Sequence, residues 1–169
     1  MTFKHSFAPV VNEHTRVLVL GSLPGEASLA QSQYYAHPQN RFWHLVGDVI
    51  DVALPGMAYE ARLQTLLDHR VGLWDVIAKA KREGSLDSRI RDHATNDLAA
   101  LVAALPNLAA VAFNGGTAAK IGMQLLAESR MSLDLIKLPS SSPAYAAVPY
   151  AEKLRAWDAL RKWVAVQHR

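Results

Sequence analysis

The sequence predicts an α/β protein, and three observations carry that prediction. Four short apolar runs are separated by segments of helical periodicity. Runs and helices alternate along the chain, which gives a parallel sheet covered on both faces. Each of the four runs also ends in a loop of glycine or polar chemistry. In a parallel sheet such loops share the carboxyl edge, where ligands collect.

In chain order, Val17-Leu-Val-Leu20 is the first strand, an aliphatic run between polar flanks. Gly21-Ser-Leu-Pro-Gly25 turns out of it into a loop of about twenty residues, a length that in a compact domain usually marks function or disorder. Tyr34, Tyr35, His37, Asn40, Phe42 and Trp43 give it a composition ill suited to disorder. Helical spacing runs from Phe42 to Val52, Pro55-Gly56 breaks the chain, and Tyr59 to His69 is a second helix. Val71 to Ile77 is the second strand, followed by a charged loop, Lys79 to His93. Thr95 or Asn96 caps a helix carrying Leu98, Leu101, Val102 and Leu105, which Pro106-Asn107 ends. Leu108 to Phe113 is the third strand, and Asn114-Gly-Gly116 turns into a helix from Thr117 to about Glu128. Leu133 to Leu138 is the fourth strand, Pro139-Ser-Ser-Ser-Pro143 a stiff hydroxyl-rich loop, and Tyr150 to about Gln167 a closing amphipathic helix.

The 169 residues suit one domain, 1–169, with no internal repeat or linker. No apolar run approaches the ~18 residues of a membrane span, and Met1 to Phe7 has no signal-peptide core. The absence of cysteine removes disulfides, thiolate nucleophiles, cysteine zinc sites and iron–sulfur clusters together, and points to a cytoplasmic location. A net charge of +3 and a pI near 9.3 permit a polyanionic partner without demanding one.

Several loop residues have two readings. Asn40 can hold a water or a ligand edge through its amide, or cap the helix at Phe42. Of Phe42 and Trp43, one can stack on a planar ligand while the other joins the core, Trp43 being the better core residue. Asp75 is either a site group or a turn cap. Asn114-Gly-Gly-Thr117 is an anion-friendly amide cluster that lacks the Gly-Lys-Ser/Thr of a nucleotide P-loop. Ser140, Ser141 and Ser142 can hold a phosphate or simply form a proline-stiffened connection. No serine sits in a Gly-x-Ser-x-Gly elbow, and His37 and His44 lack metal-site spacing, so neither a serine hydrolase nor a metal site is expected.

Taken together, Gly21-Ser-Leu-Pro-Gly25, Ala36-His-Pro-Gln-Asn-Arg-Phe-Trp43, Leu73-Trp-Asp-Val76, Glu83-Gly-Ser-Leu-Asp-Ser88, Phe113-Asn-Gly115 and Leu138-Pro-Ser-Ser-Ser-Pro-Ala144 resemble the uracil-DNA glycosylase superfamily, and within it the hypoxanthine-DNA glycosylase branch. The resemblance covers nearly the whole chain in order. It implies a three-layer α/β/α sandwich around a central four-stranded parallel sheet, and hydrolysis of the N-glycosidic bond of a deaminated base in DNA. Many superfamily members carry Asp or Asn in the first glycine motif, where this chain has Ser22-Leu23; in the hypoxanthine branch the Asn of the His-Pro-x-Asn segment is catalytic, and that role carries over to Asn40. Many also carry a His where this chain has Leu138, which argues against strong uracil activity.

The resemblance also implies a division of labour. Asn40 would position the water. Gly21, Ser22, Leu23, Pro24 and Gly25 would form the base pocket with Phe42 stacked on the flipped base, Asp75 or a group in Glu83 to Ser88, such as Ser85, on its edge, and Asn114 nearby. Ser140, Ser141 and Ser142 would grip the flanking phosphates, and Tyr145 or its neighbours would fill the gap in the duplex. With no lysine in the motifs, water is the expected nucleophile. No cofactor is expected, and the expected partner is double-stranded DNA carrying a deaminated base, bound by a monomer. A non-catalytic damaged-DNA-binding module and a hydrolase of small nucleosides are the rival classes.

Overall fold

The computed structural model describes residues 2–129 and 132–164. Its centre is a four-stranded parallel sheet of β2 (Val17–Gly21), β3 (Val71–Asp75), β6 (Ala110–Asn114) and β7 (Asp134–Leu138), in the order β3-β2-β6-β7. Alternation along β2 divides the core. Val17 and Val19 pack with Phe42, Leu45, Val46 and Val49 of α2 (Phe42–Ile50) and with Trp157 of α6 (Tyr150–Trp157). Leu18 and Leu20 pack on the opposite face, with Leu98 and Val102 of α4 (Leu98–Ala104) and Ala118 and Ala119 of α5 (Gly116–Leu125). Helices therefore cover both faces of a sheet whose central strand is wholly buried. The third helix, α3 (Tyr59–Asp68), contributes Leu66 to the first face.

The connection from β2 leads to one side, toward β3, while that from β6 leads to the other, toward β7. The crevice opens between their carboxyl ends, at Gly21 and Asn114, as the switch point of an open α/β sheet requires.

Three features differ from the sequence expectation. The run 71–77 is two strands: β3 ends at Asp75, the N–H of Val76 donates to Gly21 O at 2.8 Å, and the chain turns into β4 (Ile77–Lys81). The charged segment expected to be a loop then returns as β5 (Arg91–Thr95), and with β1 (Phe3–His5) forms an antiparallel sheet, β1-β4-β5. Every residue of β5 is exposed, so no alternation betrays it, and its charges suit an unpaired edge. Second, the long first loop contains a short helix, α1 (Glu26–Gln31). Third, the cap of α4 is Asp97, whose side chain accepts from Ala100 N at 3.0 Å, rather than Thr95 or Asn96. The last turns of the closing helix, out to Gln167, lie outside the described residues; α6 passes at Trp157 into a 3-10 segment, Asp158–Lys162.

Candidate active site

All four carboxyl-edge loops meet at one cleft of about 180 Å³. That is below the ~300 Å³ at which drug-sized pockets begin, and suits a single ring system. Gly21 to Gly25 form one wall and Ser140 to Tyr145 another. Asn40, Asp75, Ser85 and Asn114 also line it.

The wall is built from the end of β2. Gly21 stands in register with Asp75, and a Cβ at Gly21 would lie 2.7 Å from Asp75 Oδ1 and 2.9 Å from the Tyr35 hydroxyl. Only a residue without a side chain lets those two groups approach the strand end. Ser22 donates to Asp87 Oδ1 at 2.7 Å, so Asp87, in the charged segment between Lys79 and His93, is half-buried beside the pocket loop. Arg82 is almost fully buried; its Nη2 donates to Pro24 O and its Nε to Gly84 O, tying the first loop to the segment that carries Ser85. Ser85 Oγ accepts from Glu26 N at 2.9 Å, at the start of α1.

The opposite wall is pinned through Ser141. Its hydroxyl accepts from Asn114 Nδ2 and its N–H donates to Asn114 Oδ1, both at 2.9 Å, while its carbonyl accepts from Arg41 N at 2.9 Å. Ser141 has no exposed surface, so it joins three loops rather than meeting a phosphate. Ser140 and Ser142 stand at the rim. Their oxygens accept from Ser142 N and Ala144 N, which leaves each hydroxyl hydrogen free to donate outward. Gly115, at φ +97°, brings the strand end close to Ser140, whose Cβ would lie 3.2 Å from a Cβ there. Tyr145 stands half-exposed on the same rim.

Of the two readings of Asn40, the structure shows the helix-start bond and places the residue at the cleft. Its Oδ1 accepts from Phe42 N at 2.9 Å, ordering the start of α2, and the residue lines the cleft. That bond fixes the amide orientation, since the other end would set two donors face to face. His37 is an exposed rim residue whose Nδ1 accepts from Gln39 N.

The aromatic assignment changes. Phe42 has no exposed surface and does not line the cleft. Tyr35 covers it, with ring centroids 3.9 Å apart and planes 11° from parallel. Tyr35 lines the cavity, with Tyr34 beside it; Phe42 backs the Tyr35 ring and Trp43 is core. Nothing in the sequence separates Tyr34 from Tyr35. In the structure Tyr34 is buried with its hydroxyl donating to Ala8 O while still touching the cleft, and Tyr35, at a left-handed φ of +53°, is the less buried of the two. Two buried polar atoms at the cavity, the Tyr35 hydroxyl and Asp75 Oδ2, have no hydrogen-bond partner within bonding geometry among the described residues. Burial and the charge of Asp75 push the Tyr35 phenol up, and burial first, then Asp87, push the Asp75 carboxyl up to about 7 against the pull of Arg82.

Among the described residues no group of three or more His, Asp or Glu is placed to hold a metal ion, and no helix is long and apolar enough to cross a membrane. The cleft thus combines an amide, an aromatic face and an unpartnered carboxyl, with backbone amides around them and serine hydroxyls at its mouth.

A family model described as the uracil DNA glycosylase superfamily matches residues 8–161. The chain belongs to the uracil DNA glycosylase superfamily. It is a DNA glycosylase, an enzyme that hydrolyses the bond between a base and its deoxyribose. Two similar proteins are both named hypoxanthine DNA glycosylase. One, from Methanosarcina acetivorans, is 44% identical over 83% of this chain and 87% of its own length. The other, from Methanosarcina barkeri, is 46% identical over 66% of this chain and 71% of its own. A solution NMR structure of a Methanosarcina acetivorans protein, provisionally named uracil DNA glycosylase, superposes with a TM-score of 0.84 at 40% identity, covering 95% of this chain and 98% of that one. The superfamily fold accounts for the parallel sheet and its switch-point cleft.

Proposed function

We propose that this glycosylase acts as a monomer on duplex DNA carrying a deaminated base, with hypoxanthine its preferred substrate, and that water is the nucleophile. The observation that carries the reading is the joint presence of Asn40, Tyr35 and Asp75 in one ring-sized cleft. The names of the two Methanosarcina relatives support the choice of base.

Cleaving the glycosidic bond builds positive charge on the sugar and negative charge on the leaving base, so the useful groups are those that meet those charges as they form. The base leaves the stack at a cost of a few kcal/mol, least where it is mispaired. It enters the cleft against the face of Tyr35, and its edge meets Asp75 and the amides of the 21–25 loop. Asn40 holds the attacking water through the free lone pair of Oδ1. Ser140 and Ser142 donate to the flanking phosphates, and Tyr145 enters the space the base vacates. Among the described residues no lysine lines the cleft, which suits a water mechanism that leaves the strand intact.

The test is Asn40→Ala, followed in parallel by single-turnover base release and by equilibrium binding to the lesion duplex. The rate should fall by about 10²-fold or more, the usual scale for losing a group that acts on the reacting atoms, while the dissociation constant changes only a few-fold. Equal losses in rate and affinity would remove Asn40 from the chemistry. Lesion binding by the wild type with no base release at any time would favour a damage-sensing module, and equal rates on free deoxyinosine would favour a nucleoside hydrolase.

A further inference from the structure

Asp75 holds a position that its charged form does not suit. It ends β3 beside Gly21, is 4% exposed, and lines the cleft with Oδ2 unpartnered among the described residues. Asp87, held by Ser22, faces it from the segment after β4. Arg82, the nearby cation, spends Nε and Nη2 on the carbonyls of Gly84 and Pro24 and forms no ion pair with Asp75 among the described residues. Tyr34 and Tyr35 face it from the loop before α2 as neutral phenols, and His37 stands on the exposed rim. An ionised carboxylate here would be a buried charge beside a second acid, offset only in part by Arg82 without an ion pair; the neutral form removes the burial and like-charge penalties.

A neutral carboxyl carries one donor and one acceptor on adjacent atoms. Deamination leaves a base with a ring N–H next to an exocyclic carbonyl oxygen, the complement of that pair. We propose that Asp75 reads this lactam edge as a neutral carboxyl, its C=O accepting the ring N–H and its O–H donating to the exocyclic oxygen. The proposal rests on the glycosylase reading of the cleft and adds the protonation state in which the reader works. As the glycosidic bond lengthens, negative charge spreads onto that exocyclic oxygen and the O–H donation strengthens, so the contact stabilises the transition state more than the ground state. The proton stays on Asp75; the hydrolysis needs no transfer from it.

The test is a pH profile of single-turnover hypoxanthine release from a duplex, from pH 5.5 to 9, for the wild type, Asp75→Asn and His37→Gln. The wild-type rate should be level below roughly pH 7 and then fall toward tenfold per pH unit as the reader ionises. Asn presents a donor and an acceptor at every pH, so Asp75→Asn should be flat and overtake the wild type at the alkaline end. His37→Gln should keep the wild-type shape. A second measurement needs no variant: calorimetric binding of the wild type to a duplex carrying uncleavable 2′-fluoro-deoxyinosine, at pH 8 in buffers of different ionisation heat, should show proton uptake. Release with a flat profile, an Asn variant that retains the wild-type fall, or binding without proton uptake overturns the proposal alone. No release by the wild type at any pH overturns the glycosylase reading and the proposal with it.

Discussion

Replacing Gly21 by Ala adds one methyl group to the cleft wall at the end of β2. Its Cβ would lie 2.7 Å from Asp75 Oδ1 and 2.9 Å from the Tyr35 hydroxyl, where ordinary contact begins at 3.4 Å. The backbone cannot retreat, because the carbonyl of Gly21 accepts from Val76 N at 2.8 Å and the strand is paired on both sides. Relief falls on the two side chains, which must withdraw by about 0.7 and 0.5 Å, into the space the base would fill. Overpacking of this kind costs about 1–3 kcal/mol. If that strain is felt mainly when the base is seated, the single-turnover rate falls roughly 5- to 150-fold, at tenfold per ~1.4 kcal/mol. The assay is base release from a hypoxanthine duplex with thermal unfolding alongside. Gly56→Ala, where an added Cβ meets nothing within 4 Å, is the control and should match the wild type. A Gly21→Ala protein that releases base within threefold of the wild-type rate would refute the reasoning, because the cleft would then not be where the base sits.

Two further outcomes follow from the same residues. Tyr35→Ala should lower the release rate about tenfold or more by removing the face on which the base rests, on the scale of ~1–3 kcal/mol for base–aromatic stacking, while Tyr35→Phe should retain most of the rate; parallel single-turnover assays check this, and an alanine variant as active as the wild type would return the stacking role to another ring. Asp75→Asn should stabilise the fold at pH 8 and do little at pH 4, as read by denaturant unfolding. Folding raises this acid from its usual 3.8 to about 7, so the folded state binds more protons than the unfolded one in that window and stability is lost as pH rises through it. Asn escapes the loss, a gain on the order of 4 kcal/mol above pH 7 from about three pKa units at ~1.4 kcal/mol each, and an unchanged difference between pH 4 and pH 8 would contradict it.

The parallel sheet was legible because its strands are buried and so read as apolar runs, as Val17–Gly21 and Ala110–Asn114 do. The antiparallel sheet was not, because β5 is exposed throughout and its residues carry charge rather than alternation. The convergence of four loops followed from strand direction alone, and it located Asn40, Asp75 and Asn114 in one cleft. What stayed hidden depended on side-chain direction within those loops. Tyr35, at a left-handed φ, covers Phe42 and lines the cavity in its place. Ser141 was indistinguishable by type from its neighbours, yet it is the serine whose hydroxyl is held by Asn114. Arg82 looked like one of several basic residues in a polar segment, and only the fold shows it buried against the Pro24 carbonyl.

The measurement that bears most directly on the account is single-turnover base release from duplexes carrying one hypoxanthine, uracil or xanthine, with alkali added afterwards to reveal abasic sites. Hypoxanthine release well ahead of uracil, with no strand break before alkali, is the predicted result. Uracil release ahead of hypoxanthine, or strand cleavage without alkali, would contradict it.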